Sequence, residues 1–168
     1  MGGLTPPRPL AAGDDRSSFD CGRESLNQWF ERHAWRNQIS GASRTSVICD
    51  TTSGAIAGYV SLSVAQIERE HLPKSAQRNR PDPVPAVLLG QLAVDLNYQG
   101  KGIARSLLLF AATTAIRFSQ DIGCFGVLTH PLDAELHAFY RRFGFEDLPS
   151  DPKHGMIARI ADLEKNGF

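Results

Sequence analysis

The sequence predicts an α/β fold of alternating strands and helices, on three observations. Residues 24–38 carry a stripe at helical spacing. Two β-rich runs, 44–50 and 55–64, flank a short turn of small and polar residues. An unbroken apolar run at 86–95 leads through a glycine-rich turn into a further helical pattern. With 168 residues and no long polar linker, the chain reads as one domain, 1–168, able to bury ~70% of the unfolded chain's surface.

In the first helix Leu26, Trp29, Phe30, His33, Ala34 and Asn37 recur every three or four residues, and Gly41 and Ser43 close it. RTSVICD and AIAGYVSLSV, joined by TTSG, form a β-hairpin. The stretch 66–85 has three prolines in its last five positions and reads as an irregular connection. A loop of that length is usually functional or mobile. AVLLGQLAVD, 86–95, is apolar without alternation, as expected of a central strand buried on both faces. Ile103, Leu107, Phe110 or Ala111, Thr114 and Phe118 follow helical spacing. CFGVLTH is another strand, after which Asp133 caps a helix of about ten residues ending at Phe143, with Gly144 as its stop. The final GMIARIADL returns to strand-like alternation.

Composition narrows the function classes. Formal net charge is zero, so contact with nucleic acid would need a local basic patch rather than the field of the whole molecule. No apolar run approaches the ~20 residues that span a bilayer, and MGGLTPPRPL lacks the apolar core of a signal peptide, so a cytoplasmic protein without membrane contact is expected. Pro6 stands where the myristoylation pattern needs Ser or Thr. Cys21, Cys49 and Cys124 lack CxxC spacing, and the five histidines include no HExxH pair. Neither a disulfide framework nor a metal site is expected.

The segment YQGKGIARSLL, 98–108, carries the chemical signal. It is not a P-loop, because Lys101 is followed by Gly102 and no hydroxyl is placed for magnesium. It is not a dinucleotide loop, because Arg105 stands where a small third residue is needed. What remains is small or bare backbone at 99–104, between a buried strand and a helix N-terminus, where phosphates can meet successive N–H groups and the positive end of the helix dipole. Taken alone, the turn is also compatible with a glycine-rich connection that holds nothing.

QGKGIA resembles the Gln/Arg-x-x-Gly-x-Gly/Ala signature of the GNAT N-acetyltransferase superfamily. QLAVD is similar to that family's central strand, and HAFYRRFGFE, 137–146, to its last helix and following turn, in the family's order. The resemblance implies the GNAT acyltransferase fold, a mixed central sheet flanked by helices with a splayed central strand, and acetyl-CoA as cosubstrate. Gln99, Gly100, Lys101, Gly102, Ile103, Ala104 and Arg105 would then bind its pyrophosphate, with no catalytic role for Lys101. The main chain of Leu92, Ala93 and Val94 would pair with the pantetheine arm like an added strand, and the Val94 N–H would polarise the thioester carbonyl. Asp133, often asparagine in the superfamily, is a helix cap first and a coenzyme contact second.

FDCGRESLNQWF (19–30), SRT (43–45) and PDPVPAVLLGQLAVD (81–95) extend the resemblance to the acetyltransferase toxins of bacterial toxin–antitoxin modules, the group typified by TacT and AtaT. This implies acetylation of the α-amine of an aminoacyl-tRNA, arrest of translation, a ribbon-helix-helix antitoxin partner and a homodimer.

Acyl transfer from a thioester to an amine needs an unprotonated amine, a donor for the carbonyl oxygen and an acid for the departing thiolate. Tyr140 occupies the family's acid position, and a phenol of ordinary pKa ~10 carries the proton at neutral pH. Helical spacing alone would make it a packing aromatic beside Phe139 and Phe143. No side chain is an obvious base. His130 and His137 read as structural, and a water or an amine arriving neutral suffices, because an α-amine has a pKa of only ~7.7–8.0. Phosphates of a tRNA would need Lys or Arg, with Arg32, Arg36, Lys74, Arg78, Arg80, Arg141 and Arg142 as candidates; without the resemblance they are a solvated face. Two other functions stay open: a GNAT enzyme acting on a small amine or a protein N-terminus, and a binding module without turnover.

Overall fold

The computed structural model describes residues 2–166. Its strands are β1 (Arg8–Pro9), β2 (Arg44–Cys49), β3 (Ile56–Ile67), β4 (Val84–Val94), β5 (Gly126–Thr129), β6 (Glu146–Asp147) and β7 (Met156–Arg159). Its helices are α1 (Glu24–Trp29), α2 (Trp35–Ser40), α3 (Lys74–Gln77), α4 (Ile103–Asp121), α5 (Ala134–Arg142) and α6 (Ile160–Lys165). The seven strands form one sheet in the order β1-β2-β3-β4-β5-β7-β6. It is mixed, since β4 and β5 run parallel while β5 and β7 are antiparallel. Packing divides the chain into two units, Met1–Ser63 with Gly90–Ala111 and Val64–Leu89 with Ala112–Phe168.

In the first unit the predicted hairpin is present, with Asp50 N donating to Ala55 O at 2.8 Å and Gly54 at φ 77° turning the chain. The first helical region is α1, a π segment at Phe30–Ala34, then α2. Its buried side chains, Leu26, Phe30 and Ala34, come every four residues. That repeat is longer than the 3.6 of an α-helix, and the wider i→i+5 turn absorbs the difference. Phe30 stacks on Tyr59 with ring centroids 4.2 Å apart, and the Tyr59 hydroxyl donates to Leu26 O at 2.8 Å. His33, expected in the apolar stripe, is exposed, because the four-residue repeat carries it off the buried face. Gly41 closes α2 at φ 79°, its N–H on Asn37 O, as the sequence predicts.

In the second unit Ile67, Leu72, Ala76, Val84, Ala86, Phe125, Leu128, Leu148 and Ile157 form the core. The predicted connection 66–85 is partly ordered: β3 runs on to Ile67, a 3₁₀ turn occupies Arg69–His71, and α3 follows. Leu72 and Ala76 anchor it in the core. The last segment departs from expectation. Only Met156–Arg159 is strand, and Ile160 opens α6. Ile157, Ile160 and Leu163 are all buried at spacings of three, which a helical repeat meets and alternation does not. The short strands β1 and β6 carry too little pattern to be read from sequence.

Candidate active site

The glycine-rich turn lies in the first unit. Asp95 caps a 3₁₀ turn at Leu96–Tyr98, accepting from Asn97 N, and α4 begins at Ile103. Gly100 and Gly102 sit at φ 80° and 79°, a left-handed conformation that side-chain-bearing residues rarely adopt. A Cβ built on either would meet nothing within 4 Å, so open space faces both. The first N–H groups of α4 have no partner within the helix. Exposed backbone donors, a positive dipole end and free space before the turn therefore coincide, which is the cradle a pyrophosphate requires.

The helix is seated by Gly58 of β3. A Cβ there would lie 2.9 Å from Ile103 Cγ2, 3.0 Å from Leu107 Cδ1 and 3.1 Å from the Ala93 carbonyl. Bare backbone at 58 is what lets the helix N-terminus come this close. Ile103 is a buried packing residue, Ala104 is half-buried, and Gln99, Lys101 and Arg105 are exposed. Lys101 Nζ stands 5.6 Å from the centre of the Tyr98 ring, whose hydroxyl donates to Asp50 Oδ2 at 2.8 Å. Gln99 Nε2 donates to Cys21 O at 3.2 Å and Val94 O at 3.0 Å. Leu92 and Ala93 are buried, so their side chains pack in the core.

Tyr140 belongs to the second unit, on α5. Asp133 caps that helix by accepting from Leu136 N at 2.9 Å, and Gly144 at φ 93° follows its end. The Tyr140 side chain is 3% exposed, with Phe139 and Phe145 rings each 5.2 Å away. Burial pushes the phenol up to about 12, with the Thr129 hydroxyl pulling the other way. The phenol is thus held in its neutral form. Thr129 was not among the residues singled out from sequence. A threonine closing an apolar strand is the available signal, a weak one beside the neighbouring His130.

The two histidines near this region are engaged with carboxylates. His130 Nε2 lies 3.5 Å from Asp151 Oδ2, and His137 Nε2 lies 2.6 Å from Asp147 Oδ1. Arg141 also pairs with Asp147. Arg80 covers the Phe125 ring at 4.6 Å, and Arg142 lies 5.8 Å from the Phe139 ring centre. Arg32 and Arg36 in the first unit, and Lys74 and Arg78 in the second, are exposed. No ion pair among the described residues engages these four.

Residues 42–147 match the family described as "Acetyltransferase (GNAT) domain". The chain belongs to the GNAT acetyltransferase family. A relative from Mycobacterium tuberculosis named "tRNA-acetylating toxin" is 37% identical over 157 residues, 94% of this chain and 93% of its own. The solved structure of AtaT complexed with acetyl-methionyl-tRNAfMet aligns with a TM-score of 0.90 at 30% identity, covering 99% of this chain and 100% of that one. A mutant AtaT toxin bound to the C-terminus of the antitoxin AtaR and acetyl-CoA aligns with a TM-score of 0.82 at 26% identity, covering 97% of each chain. As a GNAT enzyme the chain is an N-acetyltransferase. No described helix is long and apolar enough to cross a membrane.

Proposed function

We propose that residues 1–168 form one cytoplasmic GNAT domain that acetylates the α-amine of an aminoacyl-tRNA with acetyl-CoA and thereby blocks translation. The observation that carries this reading is the match along 94% of the chain to a tRNA-acetylating toxin. A ribbon-helix-helix antitoxin is the partner that would neutralise it, and a homodimer is the proposed assembly.

In the transfer, a C–N bond forms to the acetyl carbon while the C–S bond breaks. The amine's surplus proton passes to water, and the sulfur takes a proton from the Tyr140 phenol. The turn at 99–105 would hold the pyrophosphate through its backbone N–H groups, and the main chain of 92–94 would align the pantetheine. The Val94 N–H would donate to the thioester oxygen as negative charge develops there, while Val94 O accepts from Gln99. Asp133 supports this region chiefly by capping α5. Arg32, Arg36, Lys74, Arg78, Arg80, Arg141 and Arg142 are the proposed phosphate contacts. Of these, Arg80, Arg141 and Arg142 already have partners within the protein, which favours the other four.

Purified protein incubated with labelled acetyl-CoA and a pool of charged tRNAs tests this. Label on the aminoacyl group, lost in Tyr140→Phe, is expected. Label on small amines or protein N-termini with charged tRNA left bare would replace the tRNA reading with the small-amine one. The salt dependence separates them too: affinity for tRNA should fall steeply with salt, and a small-amine site should not.

A further inference from the structure

The glycine turn has little to stiffen it by itself, since Gly100 and Gly102 carry no side chain to pack and open space faces both. What fastens it lies just upstream. Asp95 is 6% exposed, and both its carboxylate oxygens are used. Oδ1 accepts from Asn97 N at 2.9 Å, and Oδ2 accepts from Asp20 N at 3.0 Å. The bond is reciprocated by Leu96 N donating to Asp20 O at 2.8 Å, while Asp95 N is tied to Ala57 O of β3 at 2.9 Å. One step further, the Gln99 amide grips Cys21 O and Val94 O. The strip at 20–21 is itself held, because Asn27 of α1 donates to Asp20 Oδ1 and accepts from Cys21 N, each at 2.9 Å. Asp95 and Gln99 thus bracket the start of the turn and bind it to the backbone that leads into α1.

We propose that Asp95 and the Gln99 side chain are positioning residues that hold the donor turn in its binding conformation before acetyl-CoA arrives. The proposal rests on the reading of 99–105 as the pyrophosphate site. It changes the role of Gln99, whose side chain serves the coenzyme by fastening the turn rather than by touching phosphate. A clamp of this kind acts on donor affinity, because an unfastened turn must be ordered at the expense of binding. It leaves the chemical step, centred on Tyr140, unchanged.

The test uses Asp95→Ala, Asp95→Asn and Gln99→Met in the full chain, with calorimetric titration of acetyl-CoA and steady-state kinetics on charged tRNA. The dissociation constant and KM for acetyl-CoA should rise ~10-fold in Asp95→Ala, the scale of a lost charge-assisted hydrogen bond, and about 5-fold in Gln99→Met, the scale of a lost neutral one. The acceptor KM and kcat at saturating donor should stay near wild type. Asp95→Asn should recover part of the loss, since one amide oxygen still accepts. A fall in kcat with unchanged donor KM would mean that less enzyme is folded, and would overturn the proposal. If Asp95→Ala does not fold, the exposed Gln99→Met decides alone. Wild type that fails to bind acetyl-CoA overturns the donor-site reading and the clamp with it; wild type that binds, with variants binding equally well, overturns the clamp only.

Discussion

Thr129 and Leu89 are joined twice. They are register partners in the parallel β4–β5 pair, and the Thr129 hydroxyl donates to the Leu89 carbonyl at 3.0 Å. The pairing stops there: β5 ends at Thr129 while β4 continues to Val94. The hydroxyl that closes the ladder is also the one that meets the Tyr140 phenol.

Tyr140→Phe should lower kcat by ~10²–10⁴-fold, the range for removing a general acid, with acetyl-CoA affinity within about twofold of wild type. Thr129→Val should cost about 1 kcal/mol of stability through the lost bond to Leu89. Rapid-quench measurement of the transfer step and calorimetric titration check the first, and denaturant melts the second.

Folding shifts all three tyrosines upward. Burial acts on Tyr59 and on Tyr140, the latter to about 12, and the hydrogen bond to Asp50 acts on Tyr98. A spectrophotometric titration of the native protein should therefore show less phenolate at pH ~10 than three free phenols, each half ionised there, would give. Since a raised folded-state pKa favours the neutral form, the associated stability is intact below pH ~10. It is lost as pH climbs toward Tyr140's folded value of about 12. Any fall in kcat between pH 6 and 10 should then persist unshifted in the residual activity of Tyr140→Phe.

Gly58→Ala should cost ~1–3 kcal/mol, because the added carbon lies within 3.1 Å of Ile103, Leu107 and the Ala93 carbonyl, and the last is backbone that cannot swing aside. The displaced helix N-terminus should also weaken acetyl-CoA binding. Comparing thermal melts with donor titrations measures both effects on one variant.

Arg8 binds Asp14 through two hydrogen bonds of 2.9 and 2.8 Å and holds the carboxyl below its ordinary range. A depressed folded-state pKa gives stability that is present above the unfolded value, near 3.8, and lost as pH falls through the lower folded one. Asp14→Asn should therefore be less stable than wild type by about 1 kcal/mol at pH 7, after allowing for the partial exposure of Arg8. The difference should close in urea melts as pH falls through the depressed folded-state value of Asp14.

Much of the architecture was legible because it is written in local pattern. The hairpin turn, the uninterrupted apolar strand, the Asp133 cap and the positive-φ glycines at 41, 100, 102 and 144 all depend on residues near in sequence, whose conformational preferences act before any tertiary contact. The order of QGKGIA and its flanking segments likewise pointed to the family that residues 42–147 match. In GMIARIADL, 155–163, the strand holds through Arg159 and then gives way to a helix, a change of period confined to too few residues for pattern to show it.

What sequence by itself determined is the run of strands and helices, the backbone-lined turn and the family. Tertiary structure alone decided which side chains serve that turn. Gly58 and Ile103 are 45 positions apart, and Asp95 and Asp20 are 75. Only folding makes Gly58 a seat for α4 and Asp95 a clamp. The same holds for Tyr140, whose raised pKa comes from desolvation by the packed protein around it, a property of the enclosure rather than of any motif.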